Sequence, residues 1–295
     1  RSAMPNQNPR TKAILQAILV TTIWSSSWLI IKFFIHEIPP FTFAAMRYGI
    51  AFLLLLPGLI RNRAELRTAS KTELRAMVGL GLLYYCILAG GQFLVLKVLE
   101  STTFSLMLNF TTPIVAVVGM YWLKERLTPR QWWGMAVFLL GALLYFYQRV
   151  HVSGQTAGII LAGVIVLVNA GSSLLGRFVN REQRLSPIIV TAFSMGVGSS
   201  VLVAVALAWE GLPRLSAQAW MAIVWLAAVN TAFAFWLWNT SLRMLSAMES
   251  SMINNTMLVQ IAFLSYIFLD ERISLVQVLG LGLAMAGVVL VSLRK

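Results

Sequence analysis

Ser105-Leu106-Met107-Leu108-Asn109-Phe110-Thr111-Thr112-Pro113 opens a stretch that runs through apolar residues to Leu123-Lys124-Glu125-Arg126-Leu127-Thr128-Pro129-Arg130-Gln131 and on to Gly134. Ser251-Met252-Ile253-Asn254-Asn255-Thr256-Met257-Leu258-Val259 opens a second, which reaches Leu269-Asp270-Glu271-Arg272-Ile273-Ser274-Leu275-Val276-Gln277 and Gly280. An offset of 146 residues superposes them: Ser105 on Ser251, Asn109 on Asn255, Glu125-Arg126 on Glu271-Arg272, Gln131 on Gln277, Gly134 on Gly280 and Gly141 on Gly287. The period is about half of the 295-residue chain, so one unit is duplicated; a solenoid would repeat far more often. Each copy is an apolar segment, a tight charged turn and a second apolar segment.

The turn has a local logic. Thr128-x-x-Gln131 and Ser274-x-x-Gln277 both fit a capping box, in which hydroxyl and amide satisfy the free N–H groups that open a helix. Pro129 takes the first helical position, where its missing N–H costs nothing. Glu125-Arg126 and Glu271-Arg272 then lie in the short turns, paired with each other or with a neighbour. They read as structural turn signals in preference to substrate contacts.

The chain is 59% apolar and only 11% charged, against roughly 25% charged in a soluble domain. Its mean hydropathy is +0.79. The bilayer is the solvent this composition suits. Strands of alternating polarity are absent, so helices satisfy the backbone. Cys86, the lone cysteine, excludes an internal disulfide, and no His/Cys/carboxylate cluster has metal-ligand spacing. No cofactor is expected. Arg1-Ser2-Ala3 ahead of Met4 read as added residues, within an N-terminal tail spanning 1–11.

Ten segments of spanning length (~20 residues) can be drawn, at 12–31, 40–60, 74–97, 102–122, 130–148, 157–178, 187–208, 217–241, 248–269 and 274–293. With the N-terminus inside, 17 of the 23 Lys and Arg residues fall on the cytoplasmic side. Five, Lys32, Lys97, Arg149, Arg214 and Arg272, fall outside, and Arg47 lies within the second segment. This is a strong positive-inside signal, and it absorbs the net charge of +13 as orientation determinants near anionic headgroups, leaving no nucleic-acid footprint. Five segments per half put the second copy into the membrane upside down. The fold expected is an all-α membrane protein of ten transmembrane helices, built as a first five-helix repeat over 12–148 and a second, inverted, over 149–295. Inverted repeats place a substrate near the bilayer midplane and permit alternating access.

Ten helices, the five-plus-five duplication and the paired L-K-E-R-L-T and L-D-E-R-I-S turns, each followed by a Gly-spaced final helix, resemble the EamA branch of the drug/metabolite transporter superfamily. The resemblance covers residues 12–293 and is strongest to YddG-type amino-acid exporters. It implies a bacterial inner-membrane protein with both termini cytoplasmic that moves aromatic and other neutral amino acids outward, with threonine and methionine in its range.

Several residues suit such a cargo. Ser105, Asn109 and Thr112 share one helix face, and Ser251 and Asn255 repeat it. Trp24 and Ser27 lie in the first segment, with Asn169 in its counterpart. Tyr84 and Tyr85 align with Asn230 and Thr231, and Trp236 and Trp238 follow. The substrate contacts selected are Trp24, Ser27, Tyr84, Tyr85, Asn109, Thr112, Asn169, Asn230, Trp236 and Asn255, because rings with a few amides and hydroxyls suit a zwitterion with an apolar side chain. Interhelical hydrogen bonding and ring packing remain alternatives for them. Trp122, Trp132, Trp133, Trp209 and Trp220 read as an interfacial belt.

All ten acids fall at segment ends or in loops, which argues against a proton-exchanging exporter of organic cations. Arg47 reads as structural, snorkelling or bonding carbonyls. Gly90-Gly91 and Pro113 are hinge candidates, and the final-helix glycines offer packing or dimer faces. A sugar phosphate or nucleotide sugar is the alternative cargo, weakened by the lack of cavity cations. No nucleophile or acid/base pair for an enzyme is found. The expected partners are an amino-acid substrate and the lipid bilayer, with no nucleic acid and a monomer or weak homodimer.

Overall fold

A computed structural model describes residues 9–34, 38–99, 101–147, 156–211, 215–268 and 273–292, with the side chains at 28, 29, 32, 33, 34, 93, 96, 97, 101 and 102 excepted. The charged turn at 269–272, the outward bases Arg149, Arg214 and Arg272, the side chains of Lys32, Lys97 and Trp28 and the acids Glu37, Glu100 and Asp270 lie outside what is described.

The described residues form α1 (Pro9–Phe34), α2 (Pro40–Arg61), α3 (Arg63–Thr68), α4 (Lys71–Leu80), α5 (Ala89–Val98), α6 (Ser101–Asn109), α7 (Thr111–Trp122) and α8 (Pro129–Phe146). They continue as α9 (Thr156–Arg181), α10 (Pro187–Trp209), α11 (Ala217–Ala227), α12 (Ala234–Leu242), α13 (Ala247–Asn254), α14 (Met257–Phe268) and α15 (Leu275–Ser292). Gly81–Leu88 joins α4 to α5 as a π-helical stretch, and Ala228–Phe233 joins α11 to α12 in the same way. Over its described residues, each of the ten segments drawn from the sequence overlaps helix. Among the described residues, eight spans are long and apolar enough to cross a bilayer. α8 is not among them, because Pro129-Arg130-Gln131 dilutes its start.

The irregularities repeat with the sequence. The two π stretches superpose at the 146-residue offset. So do the breaks between α6 and α7 at Phe110 and between α13 and α14 at Asn255-Thr256. Pro113 accounts for the first break, since its missing N–H leaves the Asn109 carbonyl without a donor. The second has no proline. There Asn255 N donates to Ser251 O and Met252 O, and Thr256 N to Ile253 O at 3.0 Å, so the backbone tightens locally. Gly90 and Gly91 sit inside continuous helix, where a Cβ would meet Phe41 at 2.7 Å and Ile165 at 2.4 Å. They permit close packing of α5 against Phe41 and Ile165.

The closest helix pairing joins α8 and α15. A Cβ on Gly134 would lie 2.8 Å from Gly287 O, and one on Gly141 would lie 2.6 Å from Gly280 O. Positions rise along α8 as they fall along α15, so the two run antiparallel. Each glycine meets the repeat counterpart of the other, which is the contact pattern of a two-fold axis between them. The glycine faces are therefore used within the chain, letting two backbones touch.

The capping boxes form. Gln131 N donates to Thr128 Oγ1 at 3.3 Å while Thr128 N donates to Gln131 Oε1 at 3.0 Å, and Ser274 and Gln277 make the same pair. Glu125 does not pair with Arg126. Its Oε1 accepts from Arg177 Nε at 2.8 Å and its Oε2 from Ala247 N at 2.8 Å, so the turn ties α9 to the first residue of α13. Arg177 Nη1 also donates to Leu242 O at 2.7 Å. Trp122, Trp132, Trp133, Trp209 and Trp220 are all exposed on the outside of the bundle, as a headgroup belt requires.

Gly141→Val forces its side chain onto the Ala284 backbone, 2.4 Å from the added Cβ, and is expected to destabilise the detergent-solubilised protein by about 1–3 kcal/mol. Gly282→Val, with nothing within 4 Å, is expected to leave the unfolding midpoint unchanged. Glu125→Gln leaves Arg177 without its counter-charge and is expected to cost about 2 kcal/mol; with Arg177→Gln added, a double-mutant cycle should return a non-additive pair.

Candidate functional site: a neutral aromatic chamber

Residues of α1, α4, the first π stretch, α9, α12 and α13 line a narrow, partly open chamber with a free volume of about 30 Å³. One wall is aromatic. Phe235 is its centre, with ring centroids 4.9 Å from Trp24, 5.2 Å from Tyr84 and 5.0 Å from Tyr85. Trp238 stands 5.2 Å from Trp24. The lining also carries Asn169, Ser172, Ser173, Asn239, Ser250, Ser251 and Asn254. Among the described residues, no acidic or basic side chain lines the chamber.

The polar wall is held by hydrogen bonds reaching behind it. Asn169 Nδ2 donates to Thr111 Oγ1 at 3.2 Å. Asn239 Nδ2 donates to Thr191 Oγ1 at 3.0 Å, while its Oδ1 accepts from Asn180 Nδ2 at 2.6 Å. Ser251 shares a hydrogen bond of 2.8 Å with Thr112, whose hydroxyl also accepts from Asn255 Nδ2 at 2.7 Å. A second cluster lies between α1 and α14, where Gln260 donates to Thr21 Oγ1 at 3.1 Å and accepts from Ser25 at 2.9 Å.

At one end of the chamber, the second π stretch meets α1 and α2. In an α-helix Ala234 N would donate to Asn230 O, but here it is turned to Val229 O and Thr231 O. The released Asn230 carbonyl accepts from Trp24 Nε1 at 3.1 Å and from Arg47 Nη2 at 3.2 Å. Asn230 Nδ2 donates to Ile23 O and to Ser26 Oγ. Arg47 Nε donates to Thr231 Oγ1 at 2.6 Å.

Of the residues selected from sequence, Trp24, Tyr84, Tyr85 and Asn169 line the chamber. Asn230 sits at its end, bonded to Trp24. Thr112 and Asn255 lie one layer behind, through Ser251. Ser27 is buried and donates within its own helix to Trp24 O. Asn109 likewise turns back on Ser105 O, at 2.8 Å. Trp236 is exposed on the outer face beside Phe233, and Trp238 takes the inward place. Trp238 is in the sequence reading but not among its selected contacts. Gln260 and Asn180 are absent from it, although an amide in the apolar run Val259-Gln260-Ile261 is itself a signal.

The arrangement offers rings and neutral dipoles, fit for holding a partly apolar molecule. Among the described residues, no group of three or more His, Cys, Asp or Glu is placed to hold a metal.

Comparison with known proteins gives this chamber a context. The EamA-like transporter family matches twice, over residues 11–147 and 156–293. The chain is similar to "Uncharacterized transporter YoaV" of Bacillus subtilis (strain 168), at 27% identity over 94% of this chain and 95% of that protein. It is also similar to "Probable amino-acid metabolite efflux pump" of Escherichia coli (strain K12), at 24% identity over 92% and 91%. One solved crystal structure superposes with a TM-score of 0.79 at 17% identity, over 96% of this chain and 97% of the other, a likeness of fold alone. With both halves matched across nearly their whole length, the chain is a multi-pass membrane protein that belongs to the EamA-like transporter family.

Proposed function

We propose that this transporter exports neutral amino acids with aromatic and other apolar side chains, threonine and methionine included, through the chamber by alternating access. The observation that carries the reading is the lining: aromatic rings together with amides and hydroxyls and, among the described residues, no acid or base. Rings bury an apolar side chain, and neutral dipoles hold a net-uncharged molecule without pulling a full charge into hydrocarbon. The printed name of the Escherichia coli relative supports the same substrate class.

The proposal includes the architecture the mechanism needs. Ten crossings form two halves, 12–148 and 149–295, inverted relative to each other in the bacterial inner membrane, with both termini cytoplasmic. The antiparallel contact of α8 with α15 supports the inversion. The protein acts as a monomer or weak homodimer with an amino acid and the bilayer as its partners, and takes no part in nucleic-acid binding.

Purified protein in liposomes tests this. Labelled phenylalanine, threonine and methionine should accumulate above empty vesicles. Trp24→Ala and Asn169→Leu should each raise the half-saturating concentration about tenfold, the effect of roughly 1.4 kcal/mol of lost contact. No response to any neutral amino acid, together with transport of a phosphorylated sugar, would reject the reading.

A further inference from the structure

Arg47 lies seven residues into α2, roughly 10 Å along it. Both its acceptors are neutral: Thr231 Oγ1, which spends its own proton on Leu226 O at 2.9 Å, and the released Asn230 carbonyl. The ion pairs among the described residues are Arg10 with Glu249, Arg177 with Glu125 and Arg181 with Glu182; none reaches Arg47. A guanidinium has five N–H donors, so Arg47 keeps donors in reserve and a charge without a counter-charge, inside a membrane span.

Next to it is an acceptor with no donor. Asn230 is 1% exposed, and its Oδ1 is buried without a hydrogen-bond partner. Flipping the amide does not remove the deficit. Nδ2 faces Ile23 O, which can only accept, so the orientation is fixed and the unpartnered atom is oxygen. One pair of neighbouring residues thus offers spare donors with a positive charge and a spare acceptor. They stand where Trp24, a wall of the chamber, shares the Asn230 carbonyl with Arg47.

We propose that Arg47 and Asn230 Oδ1 form the headgroup site for a zwitterion, taking its carboxylate and its ammonium respectively, while the side chain lies among Trp24, Phe235 and Trp238. This rests on the amino-acid reading above and deepens it. The carboxylate supplies the counter-charge that Arg47 lacks and can bind the fork through two parallel hydrogen bonds. The ammonium supplies the proton that Asn230 Oδ1 lacks. A phosphate would gain the first contact but turn its own lone pairs toward the second, so the pair selects for zwitterions over anions. Arg47 is then a recognition residue, in place of the structural role its sequence position suggests.

The test compares binding of three probes to the purified wild-type protein, followed by tryptophan fluorescence: L-phenylalanine, L-phenylalaninamide, which has no carboxylate, and 3-phenylpropionate, which has no ammonium. Phenylalanine should bind tightest, with each analogue weaker by roughly 10- to 100-fold. Arg47→Gln should erase the preference over phenylalaninamide, Arg47→Lys should keep part of it, and Asn230→Leu should erase the preference over phenylpropionate. Equal binding of the three probes by wild type overturns the proposal with no variant needed, as does an Arg47→Gln protein that keeps the wild-type ratio. Liposome transport separates the two readings. Phenylalanine carried without headgroup discrimination removes this site alone; no amino acid bound or carried removes both.

Discussion

In hydrocarbon, a peptide N–H or C=O without a partner costs several kcal/mol, so a spanning chain can leave the α-helical ladder only where something else answers the freed groups. Among the described residues the departures from the ladder come in matching pairs, and at the second π stretch the freed group is answered in full view. The π stretch at Ala228–Phe233 frees the Asn230 carbonyl, and Trp24 and Arg47 take it up. The break at Asn255-Thr256 brings the Asn255 amide onto Thr112 Oγ1. Asn109 turns its amide onto Ser105 O beside the break at Phe110. The irregular backbone thus lies against the chamber or one layer behind it, the arrangement expected where a broken helix is tolerated inside a membrane.

Much of this was legible in the sequence because the signals were local or periodic. The duplication, the two capping boxes and the glycine spacing of α8 and α15 each need only a few residues at fixed offsets, and each appears in the structure. Partners across the bundle were not legible. Nothing in Glu125-Arg126 says that Glu125 reaches α9 and α13 instead of its neighbour. The tryptophans show a different limit. Counting from Asn230 at α-helical spacing, the same face returns seven residues on, at Leu237. A π turn holds one residue more than an α turn, so the face moves to the next position, Trp238. Trp236 is rotated outward by the same insertion. Apolar periodicity cannot reveal an extra residue in a turn when the residues on both sides are apolar.

The same constraint governs where the charges went. Glu65 accepts from Ser186 N at 2.7 Å, Glu210 from Thr42 N at 2.7 Å and Glu125 from Ala247 N at 2.8 Å, and Glu249 caps its own helix through Ser246 N at 3.0 Å. Each of these amides opens a helix and has no partner within it. The carboxylate supplies that partner and also meets the positive end of the helix dipole. In three of the four cases the capped helix belongs to a different part of the chain from the acid. The acids therefore bind segment to segment at the ends of the spans, where water and headgroups lower the cost of a charge. With these carboxylates engaged at the rims, the chamber between them is lined by dipoles and rings. Its selectivity then has to come from shape, from hydrogen-bond donors and acceptors, and from whatever charge a neighbouring helix can extend to its edge.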